Sequence, residues 1–177
     1  MRTVLYVTLS ANGLVTQADE AHPIPPEILR DFAQRIQRAG NVVVGRRTFE
    51  LMAAQAARGA MAGVEMVVVT GSGLKVDGIE TAASPREALD LLERKGCETV
   101  LVGGGATLDA SFLAQGLVDE ICLNIEPILM SEGLALDSGA DRAMDMRLLE
   151  TTKLGENAVQ LRYAVSREKE DRSGFRE

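Results

Sequence analysis

Residues 99–120 read TVLVGGGATLDASFLAQGLVDE: a short apolar run, three successive glycines at Gly103, Gly104 and Gly105, and then a stretch that starts a helix. A strand that enters a helix through bare backbone suits a ligand site, because glycine admits close approach and the helix start offers N–H groups to an anion. Two other stretches repeat the pattern. NVVVGRRT (41–48) and VVVTGSG (67–73) are also β-branched runs that end in glycine, hydroxyl or cationic residues. Ligands of an α/β sheet bind at the carboxyl ends of its parallel strands, so these three ends are expected to converge.

Working outward, Thr3 to Leu9 reads as a buried strand closed by an Asn12-Gly13 turn. HPIPPEILRDFAQRIQRAG (22–40) predicts a helix that starts at Pro25-Pro26, carries Ile28, Leu29, Phe32, Ala33 and Ile36 on one face and stops at Gly40. A second helix follows over 46–58. A third is capped by Ser84 with Glu87 at the capping-box position and stopped by Gly96. The order so far is β-α-β-α-β-α-β. The last third of the chain has a different pattern. There, GLVDEICLNIEPIL (116–129) and MRLLETTKLGENAVQLRYAVSR (146–167) predict long antiparallel strands, with a hairpin turn at Gly155-Glu156-Asn157. The expectation is a mixed sheet in a single domain over residues 1–166, with 167–177 as a charged tail outside the core.

Composition narrows the function. The chain has 177 residues, 46% hydrophobic and 25% charged, with no apolar stretch near the length of a membrane span. Its start lacks the apolar core of an export signal, so a cytoplasmic location is expected. The net charge of -7 repels nucleic acid and anionic membranes, so a phosphate-bearing ligand must be held locally. Cys97 and Cys122 lack the spacing of a zinc site; both read as buried thiols, and no metal is expected.

At the strand ends, Arg46, Arg47 and Thr48 offer charge and a hydroxyl after one strand, and Thr70, Ser72 and Lys75 do so after another. Together they suggest a dinucleotide cradle. This is more cationic help than NADH needs and suits the 2′-phosphate of NADPH. Neither GxGxxG after the first strand nor a Walker A motif is present.

VVVGRRTFE, LVGGGATLDASFLAQGLVDEICLNIEPIL and VTLSANG resemble the dihydrofolate reductase-like superfamily, in particular the C-terminal reductase branch of the bifunctional riboflavin-biosynthesis enzyme RibD, over most of residues 2–165. The resemblance implies a three-layer α-β-α fold, with a mostly parallel central sheet and a C-terminal antiparallel hairpin. It also implies an NADPH-dependent reductase and a homodimer. Gly45, Arg46, Arg47 and Thr48 match the loop that holds cofactor phosphates, and Thr70, Gly71 and Ser72 fall where the family meets the adenosine end and the 2′-phosphate. Gly103, Gly104, Gly105, Ala106, Thr107 and Leu108 match the loop against the pyrophosphate and nicotinamide ribose, where a cis Gly-Gly bond is common. On this reading any Cβ on the triple glycine would collide with cofactor. The chain departs from the family at Asn12, where a carboxylate is usual, at Gly103, where riboflavin reductases often carry glutamate, and at Ser131, where glycine is favoured. No deaminase segment is expected ahead of it, so that it would act alone or beside a separate deaminase.

A reduction with NADPH needs a proton source as well as the cofactor's hydride. The catalytic candidates are Asn12, Glu27 and Glu126; Ser10, Asn12 and Asn124 are candidates for the substrate side. Dihydrofolate reductases proper place a carboxylate on the first helix; here Ile28 or Leu29 takes that spot, Glu27 reads as a helix-dipole carboxylate and Asp31 as solvated. His22 reads as a surface-loop residue. Asp119 and Glu120 read as structural, and Met52, Met61 and Met66 as packing. Ile121, Leu123 and Ile125 hint at the dimer surface. Three functions stay open: a reductase of a ribosylamino- or ribitylamino-pyrimidine, a dihydrofolate or pteridine reductase, and a non-catalytic NADPH-binding module.

Overall fold

The structure, a computed structural model, describes residues 1–16, 23–56, 63–71, 78–136 and 143–166. His22, Met61, Ser72, Lys75 and the 167–177 tail lie outside these residues. The elements in chain order are β1 (Arg2–Ser10), α1 (Pro26–Ala39), β2 (Asn41–Gly45), α2 (Arg46–Ala56), β3 (Glu65–Val69), β4 (Glu80–Ala82), α3 (Pro85–Arg94), β5 (Thr99–Val102), α4 (Ala106–Ala114), β6 (Glu120–Glu126), β7 (Met146–Leu154) and β8 (Ala158–Val165).

All strands join one sheet in the order β4-β3-β2-β5-β1-β6-β8-β7. Every pairing from β4 across to β6 is parallel, and β8 pairs antiparallel with both β6 and β7. The central strand β1 is buried from Thr3 to Ser10, because both of its faces are covered. Leu5, Val7 and Leu9 of β1 pack with Val43, Val100 and Val102 against Leu92 of α3 and Phe112 of α4. The alternate residues Val4 and Tyr6 pack with Val42, Val44 and Val68 against Ile28 and Ile36 of α1 and Phe49 of α2. Period-two side-chain alternation thus divides the helices between the two faces, giving three layers.

The local signals act as read. α1 begins at Pro26 and ends at Gly40, whose φ of +69° lets its N–H donate to the Ile36 carbonyl at 2.8 Å. At α3 the Ser84 hydroxyl accepts from Glu87 N at 3.2 Å, and Glu87 Oε2 accepts from Ala83 N at 2.7 Å.

Three expectations and one omission need correction. β6 is antiparallel only to β8; it runs parallel to β1 along its whole length, because the α4 crossover returns the chain in its earlier direction. The three-residue edge strand β4 is too short to leave a periodic signal in the sequence. Cys122 is fully buried, but Cys97 is only half-buried, and Ile121 belongs to the core rather than to a free surface.

Candidate active site

At the carboxyl edge of the parallel strands lies a cleft of about 1040 Å³, at the upper end of the size range of small-molecule sites. The ends of β2, β3 and β5 and the starts of α2, α3 and α4 all contribute to it, so the three glycine-marked strand ends do converge. One end is polar, with Arg46, Arg47, Thr48, Thr70 and Gly71; the other is apolar, with Tyr6, Ile28, Leu29, Phe32 and Ile36 from β1 and α1.

The triple-glycine loop is stitched to β2. Gly103 N donates to the Val43 carbonyl and Gly45 N donates to the Gly104 carbonyl, both at 2.8 Å. The Gly104–Gly105 peptide is cis, and Gly104 has a φ of +92°. Gly105 caps α4 without a side-chain acceptor, leaving the helix start to an outside anion. A Cβ on Gly105 would lie 3.4 Å from Thr48 Oγ1. At Gly103 the obstacle is Phe32: a Cβ there would stand 2.6 Å from the ring's Cζ and 3.1 Å from Val42 Cγ2. Gly103 is therefore bare because of a protein side chain, which corrects the expectation that cofactor alone excludes a Cβ. The same ring would have to shift to admit the glutamate that the resemblance implies at this position.

Arg46 and Arg47 are exposed at the polar end, and Arg46 Nε pairs with Glu50 Oε1 at 2.9 Å. Ala106, Thr107 and Leu108 line the cleft beside the glycines. These residues fit a dinucleotide: cationic side chains, uncapped helix N–H groups and a glycine cradle meet along one wall.

The proposed catalytic and substrate-side residues do not meet there. None of Ser10, Asn12, Glu27, Asn124 and Glu126 lines the cleft. Ser10 is buried; its hydroxyl donates to Asn12 Oδ1 at 2.8 Å and accepts from Leu14 N at 3.0 Å. Asn12 clasps the opposite loop, donating to the Met130 carbonyl at 2.8 Å and accepting from Met130 N at 3.1 Å. Asn124 donates to the Val7 carbonyl at 3.0 Å and accepts from Gln160 Nε2 at 2.8 Å. Glu126 stands behind the wall, accepting from the hydroxyl of cleft-lining Thr16 at 2.8 Å. Glu27 faces a shallow groove with Lys153, Leu154 and Gly155, and a Cβ on Gly155 would lie 2.7 Å from its Oε1. The packing readings fit Met66, which is buried, and Met52, which is partly buried at the cleft wall. Asp119 Oδ2 accepts from Thr3 N at 2.8 Å, and Glu120 pairs with Arg2 at 3.2 Å.

Asp31 is part-buried and tied into a hydrogen-bond network rather than simply solvated. Its Oδ2 accepts from Tyr6 Oη at 3.0 Å and from Arg35 Nε and Gln160 Nε2 at 2.8 Å each, and Arg35 also donates to Gln160. Burial pulls the Asp31 carboxyl upward, but the hydrogen bonds from Arg35 and Gln160, the Arg35 charge and the Tyr6 hydroxyl outweigh it and hold the carboxyl below its usual range. The same burial, with the charge of Asp31, pushes the Tyr6 hydroxyl far up.

The residue that sequence reasoning missed is Asp109. It is 1% exposed, lines the cleft, and its Oδ1 has no hydrogen-bond partner among the described residues. Its Oδ2 lies 3.8 Å from the position a Cβ on Gly104 would take. Burial alone pushes this carboxyl up from 3.8 to about 8. The signal was present in ATLDASFL, where 109, 112 and 113 share one helix face, so the acid sits on the side of Phe112 and Leu113.

The RibD C-terminal domain pattern matches residues 3–160. The uncharacterized protein YwjB of Bacillus subtilis (strain 168) is 26% identical over 171 residues, which span 92% of this chain and 97% of that protein. The riboflavin biosynthesis protein RibD of Corynebacterium ammoniagenes is 36% identical over 106 residues, 60% of this chain but 27% of that protein. Among solved structures, a pyrimidine reductase-like protein from Corynebacterium diphtheriae shares the fold with a TM-score of 0.74 at 16% identity, over 94% of this chain and 92% of that one. With a match across nearly all of its length, an eight-stranded mostly parallel sheet and a stitched triple-glycine loop at the cleft, this chain belongs to the RibD C-terminal domain family, on a dihydrofolate reductase-like fold.

Proposed function

We propose that the chain is an NADPH-dependent reductase of a small heterocycle, with a ribosylamino- or ribitylamino-pyrimidine as its substrate class. The observation that carries this reading is the convergence of three glycine-marked strand ends and three helix starts on one cleft. Family membership and the riboflavin-pathway relatives support it. Arg46, Arg47 and Thr48 hold phosphate at the start of α2, Thr70 and Gly71 flank the adenosine end, and Gly104 to Leu108 lie along the pyrophosphate and ribose. When bound, the reduced nicotinamide supplies a hydride. The apolar wall from α1 and β1 shelters the flat substrate ring from water, which strengthens every polar contact inside. A pteridine substrate finds less support, since the α1 residues that line the cleft are Ile28, Leu29, Phe32, Ala33 and Ile36, with no carboxylate among them. We place a homodimer in the same reading. No described helix is long and apolar enough to cross a membrane, in keeping with action on a dissolved substrate.

The test is a fluorescence titration with NADPH and NADH of the wild type and an Arg46→Ala, Arg47→Ala double variant. The expected result is NADPH-selective binding that the double variant weakens by tenfold or more, on the order of one to two charge-assisted hydrogen bonds. Turnover of 5-amino-6-(5-phosphoribosylamino)uracil with NADPH is then measured. Failure to bind either cofactor sinks the reading.

A further inference from the structure

We propose that the Asp109 carboxyl delivers the proton of the reduction, from its place beside the Gly104–Gly105 loop to the heteroatom of the C=N or C=O bond being reduced. This assignment rests on the reductase reading above.

Four observations carry it. Asp109 lines the cleft one helical turn beyond the glycine loop, next to Gly104. Its Oδ1 is buried without a partner among the described residues, which leaves it able to bond a group that enters the cleft. Its backbone N donates to the Gly105 carbonyl at 3.0 Å and its place in the first turn of α4 suits the helix dipole, but among the described residues its carboxyl makes no cap and no ion pair. The other carboxyls nearby are occupied or elsewhere. Asp31 is held by Tyr6, Arg35 and Gln160, Glu126 stands behind Thr16, Glu27 faces the β7–β8 turn, and Glu50 is exposed beside Arg46.

The surroundings also set its protonation. β2, packed against α4, has no titratable side chain, and neither the charged groups of α3 (Arg86, Glu87, Asp90, Glu93 and Arg94) nor those of α2 at the cleft (Arg46, Arg47 and Glu50) contribute to its shift, whose one cause is burial. Asp109 therefore carries its proton at neutral pH, as a general acid must. The step balances simply. One hydride and one proton add across the double bond; the Asp109 O–H bond breaks as the substrate N–H or O–H bond forms, the cofactor leaves oxidised, and water returns a proton to the carboxylate.

The experiment has two parts. In ligand-free protein labelled with carboxyl-¹³C aspartate, an NMR pH titration should show one carboxyl titrating near pH 8, absent in Asp109→Asn. With NADPH and 5-amino-6-(5-phosphoribosylamino)uracil, Asp109→Asn should keep NADPH affinity within about twofold while kcat falls on the order of 100-fold, and the decline of kcat above about pH 8 should vanish. Asp109→Leu, which fits the apolar face, should show the same loss and covers the case in which the asparagine variant folds poorly. Titration of Asp109 in the ordinary carboxylate range overturns the assignment, as does a variant kcat within threefold of wild type with an unchanged pH profile. If the wild type binds no NADPH, the reductase reading falls first and the assignment with it.

Discussion

Gly103 and Phe32 are a matched pair. The ring of Phe32 leans on Tyr6 with centroids 4.9 Å apart and occupies the space that a Cβ at 103 would need. Gly103→Ala should therefore cost about 2 kcal/mol in urea unfolding, the usual scale of overpacking. Adding Phe32→Leu should recover part of that loss, and strictly additive effects would refute the pairing. Asp109 has a stability signature of its own. Its folded-state value near 8 lies above the ordinary 3.8, so between these pH values the folded protein holds a proton that the unfolded chain has released. Stability from this residue is full below about pH 4 and is lost as pH rises toward about 8. The melting temperature of Asp109→Asn should accordingly fall less than that of the wild type between about pH 5 and pH 8; parallel curves would count against the buried acid.

At the scale of elements, the polar network of Tyr6, Asp31, Arg35, Asn124 and Gln160 ties α1 to β1, β6 and β8 behind the apolar cleft wall. Asp31→Ala removes the hydrogen bonds from Tyr6, Arg35 and Gln160 and the charge partner of a half-buried guanidinium, and should cost about 2 kcal/mol. The sign of its pH dependence is opposite to that of Asp109. The Asp31 carboxyl is held below its ordinary value, so its contribution is present above about pH 4 and disappears as pH falls through the depressed value. Denaturation of Asp31→Asn and wild type should converge in acid; a gap that persists there would mean that packing, not charge, is what Asp31 supplies. α1 owes its position to this network as well as to its apolar face, whereas α3 is fixed locally by the Ser84 and Glu87 cap.

For the whole molecule, the β6-β8-β7 end of the sheet differs from the rest. Cross-strand pairing puts Ile121 beside Tyr163 and Tyr163 beside Leu148, and Leu123 beside Leu161, on one face. Ile121 is buried, but Leu123, Leu161 and Tyr163 stay half-buried and Leu148 is 51% exposed. A continuous apolar sheet face of this kind is where a second copy would dock, and it gives the proposed homodimer a location. Leu148→Asp with Leu161→Asp should halve the mass measured by light scattering without changing NADPH affinity. A wild-type monomer would remove the dimer from the reading.

The sequence by itself determined the order of elements up to β5 apart from the short edge strand β4, the helix stops at Gly40 and Gly96, the Ser84 cap and the meeting of three glycine-marked strand ends. Each rests on side-chain periodicity or on backbone demands a few residues long. Tertiary structure decided the rest. The parallel course of β6, the Phe32 ring over Gly103, the Glu27 contact with Gly155 and the Thr16–Glu126 bond, 110 residues apart in sequence, all depend on which surfaces the topology brings together. The same holds for the two aspartates: Asp31 becomes a part-buried hub and Asp109 an acid in the cleft with no partner for its Oδ1 among the described residues, because of what packs around them. A carboxyl's partners and its exclusion from water are properties of its neighbours in space, which local spacing does not encode.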